Sequence, residues 1–142
     1  MGPNREQLVF SGAKVAVISG NDIVLLRRDD IPTIDWPGRV DLPGGARDGN
    51  EDPWTCAQRE AKEEVNLTLP ESAPDWAVAF DGDHGPAWFF VLRVAEGVGA
   101  RLRLGDEGQA CWTEPVEAYL DRTDAIPAHQ IRLREWWNTR KG

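Results

Sequence analysis

Long apolar runs are missing from this sequence. The longest, residues 87–92, is far short of the roughly 20 residues that cross a bilayer as a helix, so no membrane partner is expected. Residues 1–7 carry no apolar stretch of the kind that drives export, which predicts no secretory signal and a cytoplasmic protein. Cysteine is scarce. Cys56 and Cys111 form neither a C-x-x-C pair nor a disulfide pattern and are expected as buried thiols. The two histidines, His84 and His129, lack metal-type spacing, and there is no G-x-x-x-x-G-K loop and no G-x-S-x-G elbow. Positive charge is in short supply as well: 16 Lys and Arg face 24 Asp and Glu, a net charge of −8. Such a surface repels the phosphate backbone, which argues against a long nucleic acid as partner. A small anionic substrate would need a local arginine cluster or a bound divalent metal.

What is present is globular. With 41 % hydrophobic and 28 % charged residues in 142, composition excludes a disordered or collagen-like chain, and the length predicts a single domain over 1–142. Residues 14–18 and 23–28 read as strands joined by the turn Ser19-Gly20-Asn21-Asp22. Residues 76–80 and 87–94 flank the turn-rich 81–86 as a second hairpin, and 101–104 alternates as a half-buried strand. Three helices are expected. The first has Asp52 as N-cap, Pro53 at its first position and Asn66 as a left-handed end. The second covers 114–120. The third covers 129–137, with Ile131, Leu133, Trp136 and Trp137 packing it onto the sheet. Strands mixed with a few helices imply an α+β or α/β sandwich.

The first helix carries unusual charge. At about 100° per residue, with Glu60 at zero, Glu64 falls near +40° and Glu63 near −60°. Ala57, Ala61 and Val65 lie between about +60° and +140°. Three glutamates therefore share a face at the border of the apolar stripe. Half-buried at about 6 Å, with an effective dielectric near 20, one such pair costs roughly 3 kcal/mol. Arg59 is one charge against three. Either the glutamates take up protons or a cation sits among them, and a hard divalent ion such as Mg²⁺ suits the carboxylate ligands best. The plain alternative is a solvated acidic face on an acidic protein.

The segment just upstream decides between them. It reads Asp41-Leu42-Pro43-Gly44-Gly45-Ala46-Arg47-Asp48-Gly49-Asn50-Glu51. From Gly45, five residues lead to Glu51 and seven more to Arg59-Glu60, followed by Ala61, Lys62, Glu63, Glu64, Val65, Asn66 and Leu67. This spacing resembles the Nudix box, with Asn66 standing where the family has glycine; asparagine is the next best residue for a left-handed helix end. Shorter, less specific matches to MutT-type members cover most of the rest of the chain.

The resemblance implies an α/β fold, the Nudix-type α/β/α sandwich around a mixed β-sheet. It implies a pyrophosphohydrolase acting on a nucleoside triphosphate or a nucleoside diphosphate derivative by attack of a metal-bound water on phosphorus. It implies Mg²⁺, with Mn²⁺ as an alternative, held by Glu60, Glu63, Glu64 and the Gly44 carbonyl. Gly45 and Glu51 are supporting positions, and Arg59 orients a box carboxylate. Glu107, with its neighbour Asp106 as a rival, resembles a further carboxylate that serves some relatives as ligand or general base, so Glu63 and Glu107 both stand as candidate bases. Arg28 matches a substrate-contacting arginine. His129 falls where MutT-type members place an asparagine that reads the oxidised purine. Imidazole offers a different donor and acceptor geometry from an amide, which puts specificity for 8-oxo-dGTP in doubt. The rival function is a nucleotide-binding or sensing module on the same fold without turnover. The sequence carries no marker of oligomeric state.

Overall fold

A computed structural model describes residues 9–141; residues 1–7, on which the expectation of no export signal rests, lie outside the described residues. The elements are β1 (Gly12–Ser19), β2 (Asp22–Arg27), β3 (Val40–Asp41), β4 (Gly44–Ala46), α1 (Pro53–Val65), β5 (Trp76–Gly82), β6 (Gly85–Val94), a 3-10 turn (Val98–Arg101), β7 (Ala110–Pro115), α2 (Val116–Leu120) and α3 (Pro127–Lys141). The strands form one seven-stranded sheet of order β3-β2-β1-β6-β5, with β4 added beside β1 and β7 beside β2. β1 and β6 run parallel, and the other pairings are antiparallel.

Alternation along β1 builds two cores. Val15 and Val17 pack with Ala57, Ala61 and Val65 of α1, while Ala16 and Ile18 point the other way to Tyr119, Leu133 and Trp136 of α2 and α3. Helices thus cover both faces of the sheet, because successive strand side chains point to opposite sides and both sets here are apolar. This is the expected α/β/α sandwich.

One irregularity of the sheet opens a gap beside β1. β1 and β2 pair only near their turn, at Ile18 with Ile23 and Ser19 with Asp22. Further along they diverge, and residues 40–46 fill the wedge. β3 bonds the end of β2 at Leu26 and Arg27, β4 bonds Gly12, Ala13 and Lys14 of β1, and the Val15 amide donates to the Pro43 carbonyl at 2.9 Å. Fully buried Val40 and Leu42 anchor the segment. Asp41, between them, is carried into the interior.

Local chemistry sets α1 as expected. Asp52 accepts from the Thr55 amide at 2.8 Å, Pro53 opens the helix, and Asn66 ends it at φ 64°, ψ 32° with its N–H on the Ala61 and Lys62 carbonyls. Four expectations need correction. Residues 101–104 are not a strand: the Arg103 and Gly105 amides donate to the Val65 and Glu64 carbonyls, so this segment satisfies the open end of α1 and leaves the sheet alone. Glu114 belongs to β7, paired with Ile23, and α2 starts at Val116. α3 runs longer than expected, and Ile131 is 57 % exposed whereas Leu133 is fully buried; two helical residues turn through about 200°, so both cannot face the sheet. Cys111 is half-buried, unlike the buried Cys56. Three short strands, β3, β4 and β7, carry no alternation long enough to be seen in the sequence.

Candidate active site

Glu51, Arg59, Glu60 and Glu63 form one ionic network at the start and face of α1. Arg59 grips Glu51 with two bonds, Nε to Oε2 at 2.6 Å and Nη2 to Oε1 at 3.1 Å. Its Nη1 reaches Glu60 Oε1 at 2.9 Å and Glu63 Oε2 at 3.1 Å, and Nη2 also donates to the Ala46 carbonyl at 2.9 Å. A planar fork suits this many oxygens at fixed angles better than an ammonium would. The guanidinium holds the Glu51 carboxyl below its ordinary pKa against the opposing effect of burial.

Glu60 and Glu64 stand differently. Burial raises the pKa of Glu60, with Arg59 pulling it down and Glu63 adding to the rise. Burial pushes Glu64 up to about 7, opposed by Lys14 and by the hydrogen bond from Gly44. That bond, from the Gly44 amide to Glu64 Oε1, is 2.7 Å long. Glu60 lies against the neighbouring glycine: a Cβ on Gly45 would meet its carboxyl carbon at 2.8 Å. The double-glycine turn therefore seats directly on the glutamate face of α1, with Gly44 against Glu64 and Gly45 against Glu60. Glu63 is the exposed member, its side chain 60 % accessible.

Glu107 lies on the exposed loop between the 3-10 turn and β7. That loop is tied to the end of α1, since Gly105 packs against the Glu63 carbonyl and its amide donates to the Glu64 carbonyl at 2.9 Å. The loop is held at its far side too, where the Gly108 amide meets Asp29 Oδ2 at 3.1 Å.

Two residues at the centre carry no motif that sequence reading would single out. Asp41, 1 % exposed, receives Lys14 Nζ at 2.8 Å and Arg28 Nη1 at 3.1 Å on Oδ2, and His129 Nε2 stands 3.5 Å from Oδ1. Its own Leu42 amide donates to Oδ1 at 2.7 Å. Burial works to raise the Asp41 pKa, yet Lys14, His129 and Arg28 together hold it below the ordinary value. Lys14 goes on to the Gly44 carbonyl at 2.9 Å and the Leu42 carbonyl at 3.3 Å. The available signal was a lone carboxylate in the otherwise apolar Val40-Asp41-Leu42-Pro43 run and a lone lysine opening the apolar β1 pattern. Arg28 and His129, expected at a substrate, converge on this buried carboxylate. His129, at the start of α3, is kept neutral by burial, its pKa down at about 4 despite the pull of Asp41. Its ring is inclined 29° to that of Phe89, with centroids 6.3 Å apart. His84, the other histidine, is exposed, and its Nε2 stands 2.9 Å from Asp35 Oδ2.

The donors around Gly44, Glu60, Glu63 and Glu64 are all hard oxygens, the kind that hold Mg²⁺ or Mn²⁺, and two of these carboxylates, Glu60 and Glu64, are half-buried with a raised pKa. Donor chemistry thus fits a divalent cation. Among the described residues, though, no three His, Cys, Asp or Glu side chains are gathered as a ready cage: Arg59 draws Glu60 and Glu63 toward itself, and Lys14 holds the Gly44 carbonyl.

Residues 10–136 match the family model of the NUDIX domain. The chain belongs to the NUDIX family. Its fold is shared with solved Nudix structures at low identity. A MutT protein from Methanosarcina mazei Go1 superposes with a TM-score of 0.74 at 20 % identity over 92 % of this chain and 94 % of that one. An Ap4A hydrolase of C. elegans, solved as a binary complex, gives 0.67 at 20 % identity over 92 % and 98 %. A bifunctional NMN adenylyltransferase/ADP ribose pyrophosphatase from Francisella tularensis, complexed with AMP and a Mn ion, gives 0.71 at 18 % identity over 97 % of this chain and 42 % of that one. No curated protein matches this Nudix chain. Among the described residues no helix is long and apolar enough to cross a membrane.

Proposed function

We propose that this Nudix hydrolase cleaves a P–O–P link in a nucleoside triphosphate or a nucleoside diphosphate derivative with the help of Mg²⁺, for which Mn²⁺ can substitute. The observation that carries this reading is the 2.7 Å bond from the Gly44 amide to Glu64, which docks the double-glycine turn onto the three-glutamate face of α1. Relatives of the same fold act on Ap4A and ADP-ribose by their names, and both are small molecules built around P–O–P links.

Glu60, Glu63, Glu64 and the Gly44 carbonyl would hold the cation. When bound, such an ion lowers the pKa of water and offsets charge growing on the bridging and leaving oxygens. The chain's own residues do the rest. Arg59 keeps Glu60 and Glu63 turned to one side of α1 and is itself fixed by Glu51. Glu63 and Glu107 are the exposed carboxylates able to take the proton of the attacking water. Arg28, one-quarter exposed and held by its Nε and Nη1, offers the rest of its guanidinium to a phosphate. Neutral His129, which faces the same Asp41 carboxylate, would be the group offered to a base or sugar.

Purified protein, incubated with Mg²⁺ or Mn²⁺ and a panel of (d)NTPs, ADP-ribose, NADH, sugar nucleotides and dinucleoside polyphosphates, is expected to release phosphate, pyrophosphate or a nucleoside monophosphate from at least one. Absence of release from every compound at micromolar enzyme, with tight nucleotide binding retained, would instead establish a binding module.

A further inference from the structure

Lys14 occupies an odd place for a lysine. Its backbone is pinned on both sides, opposite Gly44 in β4 and Phe89 in β6, so its Cα cannot move without opening the sheet. Its ammonium, on a side chain 15 % exposed, donates to Asp41 Oδ2, the Leu42 carbonyl and the Gly44 carbonyl, which uses all three N–H bonds. Asp41 does not depend on it alone, because Arg28 and His129 attend the same carboxylate. The Gly44 contact is therefore more than a by-product of neutralising Asp41. Its positive charge is also felt at Glu60 and Glu64, where it favours the ionised forms.

We propose that Lys14 is a resident cation of the site, and that its ammonium and a divalent ion compete for the Gly44 carbonyl oxygen. This rests on the reading of the site given above. The carbonyl has a second lone pair, but a single and a double positive charge drawn to one oxygen repel each other strongly even at an effective dielectric of about 20. Binding of the ion turns the lysine off Gly44 while it keeps Asp41, a buried acceptor within its reach. Divalent affinity is thereby set lower than the carboxylates alone would make it, and metal release is eased.

The test is direct binding of Mn²⁺ and Mg²⁺ by titration calorimetry without nucleotide, on the wild type, Lys14→Met and Lys14→Gln. Both variants remove the charge, and the second keeps an N–H for Asp41. Each is expected to bind at least about tenfold more tightly. Equal or weaker binding by the folded variants overturns the proposal. A measurement on the wild type stands beside it should the variants fail to fold. The lysines are Lys14, Lys62 and Lys141, so the side-chain N–H resonance of Lys14 can be assigned, and saturating Mg²⁺ should shift or broaden it. A Lys14 signal unmoved at saturation also overturns it. Tighter binding by the variants with no hydrolysis by the wild type sinks the functional reading and leaves this one standing. Full hydrolysis with equal affinities does the reverse, and absence of divalent binding by every form sinks both.

Discussion

Adjacent glycines in the double-glycine turn should respond to alanine in opposite ways. At Gly44 an added Cβ would collide with the Ala13 carbonyl oxygen and stand 2.6 Å from the Lys14 Cα. Both are sheet backbone and cannot move aside. The residue also sits at φ +136°, a region costly for any side chain. Overpacking of this kind costs about 1–3 kcal/mol and the strained backbone about 1–3 kcal/mol, so Gly44→Ala should lose about 4 kcal/mol. With an unfolding entropy of about 2.1 cal/mol/K per residue, that is a fall in Tm of about 13 °C for this length. At Gly45 the three atoms nearest the same methyl all belong to the Glu60 carboxyl, the closest at 2.8 Å, and this is the far end of a flexible side chain held by Arg59 rather than backbone. Gly45→Ala should therefore keep its Tm within a few degrees while displacing Glu60. A displacement of about 1 Å in a catalytic group costs on the order of 100-fold in turnover. Thermal melts by circular dichroism, paired with phosphate release on the best substrate, read both effects. A Gly44→Ala protein melting within about 3 °C of the wild type would refute the steric reasoning, and full turnover in Gly45→Ala would remove Glu60 from the machinery.

Glu64→Gln should drop hydrolysis by orders of magnitude yet melt no lower than the wild type, because the amide oxygen still accepts from the Gly44 N–H and a half-buried charge is gone; near-normal Mg²⁺-dependent turnover would break the assignment. Asn66→Ala should cost about 1 kcal/mol, or roughly 3 °C, since alanine tolerates the left-handed helix end poorly, while Asn66→Gly should stay within about 0.5 kcal/mol of the wild type; a chemical denaturation series separates the two. The Glu114 pKa is held down, chiefly by its hydrogen bond to Arg122, with contacts of 2.7 and 2.8 Å. A depressed folded pKa adds stability that is complete above the unfolded pKa near 4.5 and is lost as pH falls through the folded value. Urea melts from pH 7 to 3 should show the wild type losing its advantage over Glu114→Gln in that acidic window, and a constant difference across it would show that the pair does not couple to folding.

How much of this could be read without coordinates depends on how local each feature is. α1 is local in every respect: Asp52 and Pro53 start it, Asn66 ends it, and the spacing of Glu60, Glu63 and Glu64 along one turn makes their shared face a matter of helical geometry. The sandwich was legible only coarsely from the residues, as strands mixed with a few helices; the helical layer on each side was what the resemblance to the Nudix box implied. Where local pattern misled, a distant group outbid it. Residues 101–104 alternate like a strand but are claimed by the open carbonyls at the end of α1, and Ile131 lies on the wrong side of a helix whose bounds were drawn too tightly.

Local spacing suffices for the box: which carboxylates share a face, which arginine stands among them, and where a close backbone approach is allowed by two glycines. What those groups meet follows from packing between segments far apart in the chain. The divergence of β1 from β2, filled by residues 40–46, buries Asp41 and draws Lys14, Arg28 and His129 to it from β1, the end of β2 and the start of α3. No spacing rule could announce that meeting, since its members are up to 115 positions apart in the chain and are gathered by the electrostatic need of one buried carboxylate and by the way two strands part.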